Sequence, residues 1–240
     1  MEEAKEHKES KDLVLIHQQA LAKVSAFPPE EQAPFLSMLS FQSERNSLYL
    51  QFTKELKSLE SAYNTEYTSL YSQRAEQLKL FKGFWLKVLQ NTSLCSSLIY
   101  EKDIKVLHYL MDIKCLTDPD SDNFVIEFYF DQNPYFENQV LRKKYIMTNP
   151  DVMEKGIGTD IIWKELEGAA EVKEGSSFFQ YFKSINLPTP AELEGLDEDD
   201  ERELVENVEQ DYDIGTEFKD EIVPNAILHY FSSENESDKE

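Results

Sequence analysis

The sequence predicts an α+β fold, one long helix followed by a body of antiparallel β-sheet packed with helices, and three observations predict it. From about Glu30 to Leu80 there is no glycine and a single proline, Pro34, near the start. A helix of about forty residues can therefore run unbroken, far beyond the usual length of about 11–12. Further on, Phe124, Ile126, Phe128 and Phe130 alternate with Val125, Glu127 and Tyr129, the period of a half-buried antiparallel strand. Finally, 240 residues with 40% hydrophobic and 12% aromatic content suffice to bury a core.

In chain order, residues 1–29 form an N-terminal segment with a short amphipathic helix over 12–26, stopped by Pro28 and Pro29. The long helix region follows over 30–82. Its apolar positions are Leu48, Phe52, Leu56, Leu59, Tyr63, Tyr67, Leu70 and Leu78. The repeat of 48 at 59 and 70, and of 56 at 67 and 78, is an eleven-residue period, which keeps the stripe on one face of an almost straight helix. Such a stripe must be covered. The body of the same chain is one candidate, but a helix of about 60 Å outreaches a domain of this size, so self-association through this face is expected. Gly83 breaks the pattern and opens a body over 83–231. Helices are expected over 84–93 and 103–111, strands over 123–130, 140–147 and 159–163, and a turn at Asp131-Gln132-Asn133-Pro134. Residues 177–182 are an apolar run of ambiguous type. The acidic stretch 191–213 is expected to add no core, 214–231 to be helical, and 232–240 to be a polar acidic tail.

Charge is uneven. The chain has 47 acidic and 24 basic residues, net −23; residues 191–240 alone hold 19 acidic and 3 basic, net −16. A segment of this kind repels phosphates and anionic lipid and attracts polycations, which argues against direct DNA or membrane binding. Cys95 and Cys115 suggest neither a disulfide framework nor a zinc site. No secretory leader or membrane-length apolar run is evident, so an intracellular protein is expected. Enzyme signatures fail one by one. Gly156-Ile157-Gly158 lacks the third glycine of a dinucleotide loop, Ile161 standing in its place. Asp118, Asp120 and Asp122 begin a calcium loop, but Asn123 and Tyr129 stand where its glycine and glutamate belong. His7, His17, His108 and His229 show no metalloprotease spacing. Neither an enzyme nor a cofactor or metal site is therefore expected.

Asp131-Gln132-Asn133-Pro134-Tyr135-Phe136-Glu137-Asn138, directly after the aromatic strand, resembles the hallmark of the nucleosome assembly protein family. Neighbouring segments agree in order: Gly83 to Leu89, His108 to Leu110, Ile113 to Cys115, Leu141 to Tyr145, Gly158 to Lys164, Ser177 to Phe182, Asp213 to Gly215 and Ile222 to Ala226. The resemblance spans roughly 30–231. It implies a homodimer whose long helices pair antiparallel, each bearing an α+β body, with histones taken up on acidic surfaces without ATP or metal. Tyr135 and Phe136 are then core residues rather than histone contacts. Many relatives carry a basic import hairpin between the tryptophan strand and the S-F-F run. Here Lys164 to Ser176 is too short and too acidic for one, so a shuttling or mainly cytoplasmic protein is expected.

On this reading the histone-binding carboxylates are Glu192, Glu194, Asp197, Glu198, Asp199, Asp200, Glu201 and Glu203, helped by the charged end, and the dimer seam is Leu48, Phe52, Leu56, Leu59, Tyr63, Tyr67 and Leu70. Ser233 and Ser237, each followed by acids, fit an acidophilic kinase. The alternative is an acidic regulatory protein that inhibits an enzyme or scaffolds a signalling complex.

Overall fold

The computed structural model describes residues 16–118, 121–149, 152–189 and 194–232. They form two units: one ends at Thr68 and takes in Ser121, and the other runs from Ser69 to Asp118 and from Asp122 onward. Residues 16–24 are helical, as expected for the first helix, whose residues 12–15 lie outside the described residues.

Helix α1 (Pro29–Leu78) has 50 residues, a length of about 75 Å. Pro29 occupies its first position and Glu30 and Glu31 its first turn, where a missing N–H costs nothing and negative charge meets the positive helix end. Its last turns belong to the second unit. Leu78 is buried there. The Arg74 guanidinium lies over the rings of Tyr71 at 4.7 Å and Trp85 at 5.4 Å, and one of its nitrogens donates to the Val223 carbonyl at 2.6 Å.

The body begins with three short helices, α2 (Phe84–Gln90), α3 (Ser93–Leu98) and α4 (Glu101–Leu107). An antiparallel sheet follows in the order β1-β2-β3-β4-β5, made of β1 (Leu110–Thr117), β2 (Phe124–Phe130), β3 (Val140–Asn149), β4 (Val152–Gly158) and the short β5 (Ile185–Asn186). Helix α5 (Glu167–Glu174) and a 3-10 turn over Phe178–Phe182 precede β5. Helix α6 (Glu198–Glu217), a π turn over Phe218–Ile222 and α7 (Ala226–Phe231) complete the body. One face of the sheet is core. Phe128 stands at its centre, edge-on to Phe178, Phe182 and Phe218 at 6.0, 5.1 and 5.1 Å, and all four rings are buried. Strand β4 runs so close to the 3-10 turn that a Cβ on Gly158 would lie 1.7 Å from the Phe182 carbonyl oxygen, a separation no side chain survives.

The motif of residues 131–138 is an Asx-type turn. The Asn133 side-chain oxygen accepts from the backbone N–H groups of Tyr135 and Phe136, both at 3.0 Å, and Lys164 donates to the Asn133 carbonyl at 2.6 Å. Phe136 is buried edge-on to Trp163, and Tyr135 is half-buried against the core.

Four expectations are corrected. The helix expected over 103–111 ends at Leu107, and Leu110 onward is strand β1, because pairing with β2 places Leu110 and Ile113 in the core. The strand expected over 159–163 is only an isolated bridge, Trp163 to Phe136; the fourth strand is β4, whose Gly156 and Gly158 sit opposite Tyr145 and Lys143. No boundary separates the acidic stretch from a helix starting at 214, since α6 crosses that point unbroken. The acidic stretch also does contribute core, through Val208. Residues 167–174, within the segment Lys164 to Ser176, are helical.

Candidate acidic surface and apolar seam

Helix α6 starts at its cap. Asp197 accepts from the backbone N–H groups of Asp199 and Asp200 at 3.1 and 2.9 Å, satisfying two donors that the helix cannot. Glu198, Asp199, Asp200 and Glu201 fill the first turn, where their charge meets the positive end of the helix dipole. All five, with Glu194 and Glu203, are exposed. Glu192, Ser233 and Ser237 lie outside the described residues. Arg202 is the one basic residue of α6, and it is held by Asp199 at 2.7 Å and Glu206 at 3.7 Å.

Sequence reasoning stopped too early along this helix. At 100° per residue, Glu198, Asp199, Glu206, Glu209 and Asp213 share one exposed side. Their spacing of three, four and seven was the available signal, hidden by reading 191–213 for its charge alone.

The opposite side of α6 is fixed to the sheet. Lys143, on the core face of β3 and fully buried, donates from Nζ to Asp211 Oδ2 and to the Lys183 carbonyl, both at 2.6 Å. Burial pushes the Lys143 pKa down and the Asp211 pKa up, and each partner's charge opposes the shift. Tyr145 adds a hydrogen bond from its hydroxyl to the Asp211 carbonyl at 2.8 Å and shares another with Tyr181 at 3.0 Å. Gly215 makes room for the Tyr145 ring, since a Cβ there would stand 2.4 Å from ring carbon Cζ. Neither Lys143 nor Asp211 was singled out from the sequence. The signal was parity, because Lys143 shares a strand face with Leu141 and Tyr145.

On α1, Leu48, Phe52, Leu56, Leu59, Tyr63, Tyr67 and Leu70 are all exposed, from 41% at Leu56 to 60% at Leu48. They fall within about 100° of the helix circumference over about 33 Å of its length. Met38 and Phe41 extend the same stripe toward the N-terminus and are also exposed; they precede the eleven-residue repeat and were overlooked for that reason.

The α1 stripe is apolar and exposed, and the exposed side of α6 is acidic while its other side is fastened to the antiparallel sheet. The family profile described as Nucleosome assembly protein (NAP) matches residues 76–170 and 166–233. A nucleosome assembly protein 1;3 of Oryza sativa subsp. indica is 32% identical over 261 residues, covering 92% of this chain and 86% of its own. One of the same name from Arabidopsis thaliana is 32% identical, over 78% of this chain and 62% of its own. Among solved structures, a nucleosome assembly protein from Plasmodium falciparum aligns with a TM-score of 0.68 and 30% identity, over 84% of this chain and 97% of that one. Nucleosome assembly protein 1 from Plasmodium knowlesi aligns at 0.70 and 28%, over 85% and 98%. The chain belongs to the nucleosome assembly protein family.

Proposed function

We propose that this protein is a homodimeric histone chaperone that binds core histones through the acidic side of α6 and releases them to DNA without ATP, metal or cofactor. The observation that carries this reading, in a chain of this family, is the division of α6. One side is locked to the sheet by Asp211 and Lys143, and the other presents carboxylates to solvent. Histones and DNA attract through many phosphate contacts at once, which traps misplaced complexes. Carboxylates that occupy histone lysines and arginines weaken that trap. Each exposed ion pair is worth only about 0–1 kcal/mol. Many together, doubled in a dimer, speed encounter and hold the cargo, yet still yield to a complete nucleosomal site.

The dimer forms through the α1 stripe, whose seven large apolar side chains would otherwise remain in water. DNA and anionic lipid are poor ligands for a surface of this sign. Lacking the relatives' import hairpin, the protein shuttles or stays mainly in the cytoplasm. The deciding experiment is a titration with each kind of purified core-histone pair in turn, at about 0.15 M salt. Saturable binding that weakens steeply as salt rises is expected. Absence of histone binding sinks the proposal and leaves the reading as an acidic regulatory protein.

A further inference from the structure

Neighbouring residues of a strand point to opposite faces of a sheet, so Lys144 looks away from the core that Lys143 enters. The face it joins is built in rows. Leu116, Val125, Lys144 and Ile157 pair in turn across four strands. Leu116 and Ile157 are 43% and 42% exposed. Beside this row runs a second, Lys114, Glu127 and Arg142. On the other side Ile146 pairs with Lys155. Glu127 is occupied, accepting from Arg142 at 2.6 Å and from the Tyr129 hydroxyl. The Lys144 side chain makes no ion pair or hydrogen bond among the described residues, whereas Lys114 lies 4.0 Å from Asp112, Arg142 2.6 Å from Glu127 and Lys155 3.6 Å from Glu154. A cationic, half-apolar platform therefore sits on a chain of net charge −23, and it is the wrong sign for histones.

We infer that this outer sheet face docks a short amphipathic helix with acidic flanks, supplied by a partner protein. The inner face already shows the arrangement. There an acidic helix, α6, lays Val208 and Ile214 into the core and gives Asp211 to Lys143. The outer face repeats the elements one residue on, with Lys144 set between Val125 and Ile157. Three strand spacings of about 4.8 Å make the apolar row about 14 Å long, which suits about ten residues of helix. A carboxylate of that helix takes Lys144, while those on its flanks share Lys114 and Arg142 with Asp112 and Glu127 on one side and Lys155 with Glu154 on the other. A DNA duplex supplies anions but nothing apolar for Leu116, Val125 and Ile157. The repulsion of the whole chain is screened beyond a Debye length of about 8 Å at physiological salt, so the local surface decides.

The test uses the full-length protein and, as probe, a fluorescent peptide with the sequence of residues 198–217, an acidic amphipathic helix already known to suit one face of this sheet. Saturable binding by anisotropy is expected. Lys144→Glu with Lys155→Glu should weaken it at least about tenfold, and so should a peptide with every acid replaced by its amide. Both substituted lysines lie on the open face, and an unchanged circular dichroism melt verifies the fold. The inference is overturned if the peptide does not bind, if the reversal leaves its affinity unchanged, which would mean exchange with α6 on the inner face, or if a short DNA duplex binds the platform in preference. None of these outcomes depends on histone binding.

Discussion

The molecule contains two large apolar assemblies that differ in what completes them. In the body, Phe128, Phe178, Phe182 and Phe218 come from three separate segments, β2, the 3-10 turn and the π turn, and are buried against one another. On α1, Leu48 through Leu70 come from one helix and are exposed throughout. Both are built from large apolar side chains, spaced regularly only on α1. The body buries its aromatics because sheet, turns and helices converge on one volume. A single helix cannot enclose its own stripe, so hydrophobic patterning shows where a surface must be covered without showing by what.

The largest expected effect strikes the uncovered side. Changing Leu56, Leu59 and Tyr63 together to charged residues would place unpaired charge in the seam. Sedimentation should then show monomer or aggregate while the body keeps its melting transition; an intact dimer would end the assignment of this stripe. The converse substitution, Phe128→Ala, should remove about 3–5 kcal/mol of body stability in urea unfolding and leave α1 able to pair. Next comes the clasp that joins acidic helix to core. Lys143→Met alone strands Asp211 beside a buried gap and should cost about 3 kcal/mol. Adding Asp211→Asn should recover much of that loss. If the double variant is no better than the single, the pair is not the clasp described above.

Smaller effects are expected where nothing is buried. Neutralising Asp197 through Glu201 to Asn and Gln should lower histone affinity about tenfold and flatten its salt dependence. Stability should change little, because Asn at position 197 still caps α6. Unchanged binding would move the role to Glu206, Glu209 and Asp213. The mildest change is a gain. Phosphate on Ser233 adds about −1.5 to −2 charges and should raise histone association by a few-fold in stopped-flow mixing. A phosphorylated protein with an unaltered rate would exclude long-range attraction by that tail.

Legibility followed the range of the forces. The long helix and strand β2 were readable because their signals are local, an absence of glycine and a strict alternation. The start of β1 was misread because His108-Tyr109-Leu110-Met111 suits a helix equally well, and only its pairing with β2 decides. Strand β4 was hidden by Gly156 and Gly158, which serve the neighbours that crowd them rather than the strand itself. The run of acids that opens α6 was legible as far as Glu203, but the inner side of the helix was not. Lys143 and Asp211 are 68 residues apart, and neither carries a mark that predicts the other.

The position of α1 in the chain has a consequence during synthesis. Ribosomes add about 5–20 residues each second, and the stripe from Leu48 to Leu70 is made before the body that starts at Phe84. For roughly ten seconds or more it emerges with no later part of its own chain available to shield it. On the proposal that this stripe is the dimer seam, a second nascent chain on the same message carries its partner surface at high local concentration. Pairing while both are still being translated would spare the cell an aggregation-prone intermediate and would fix subunit composition by transcript, before products of different genes can mix.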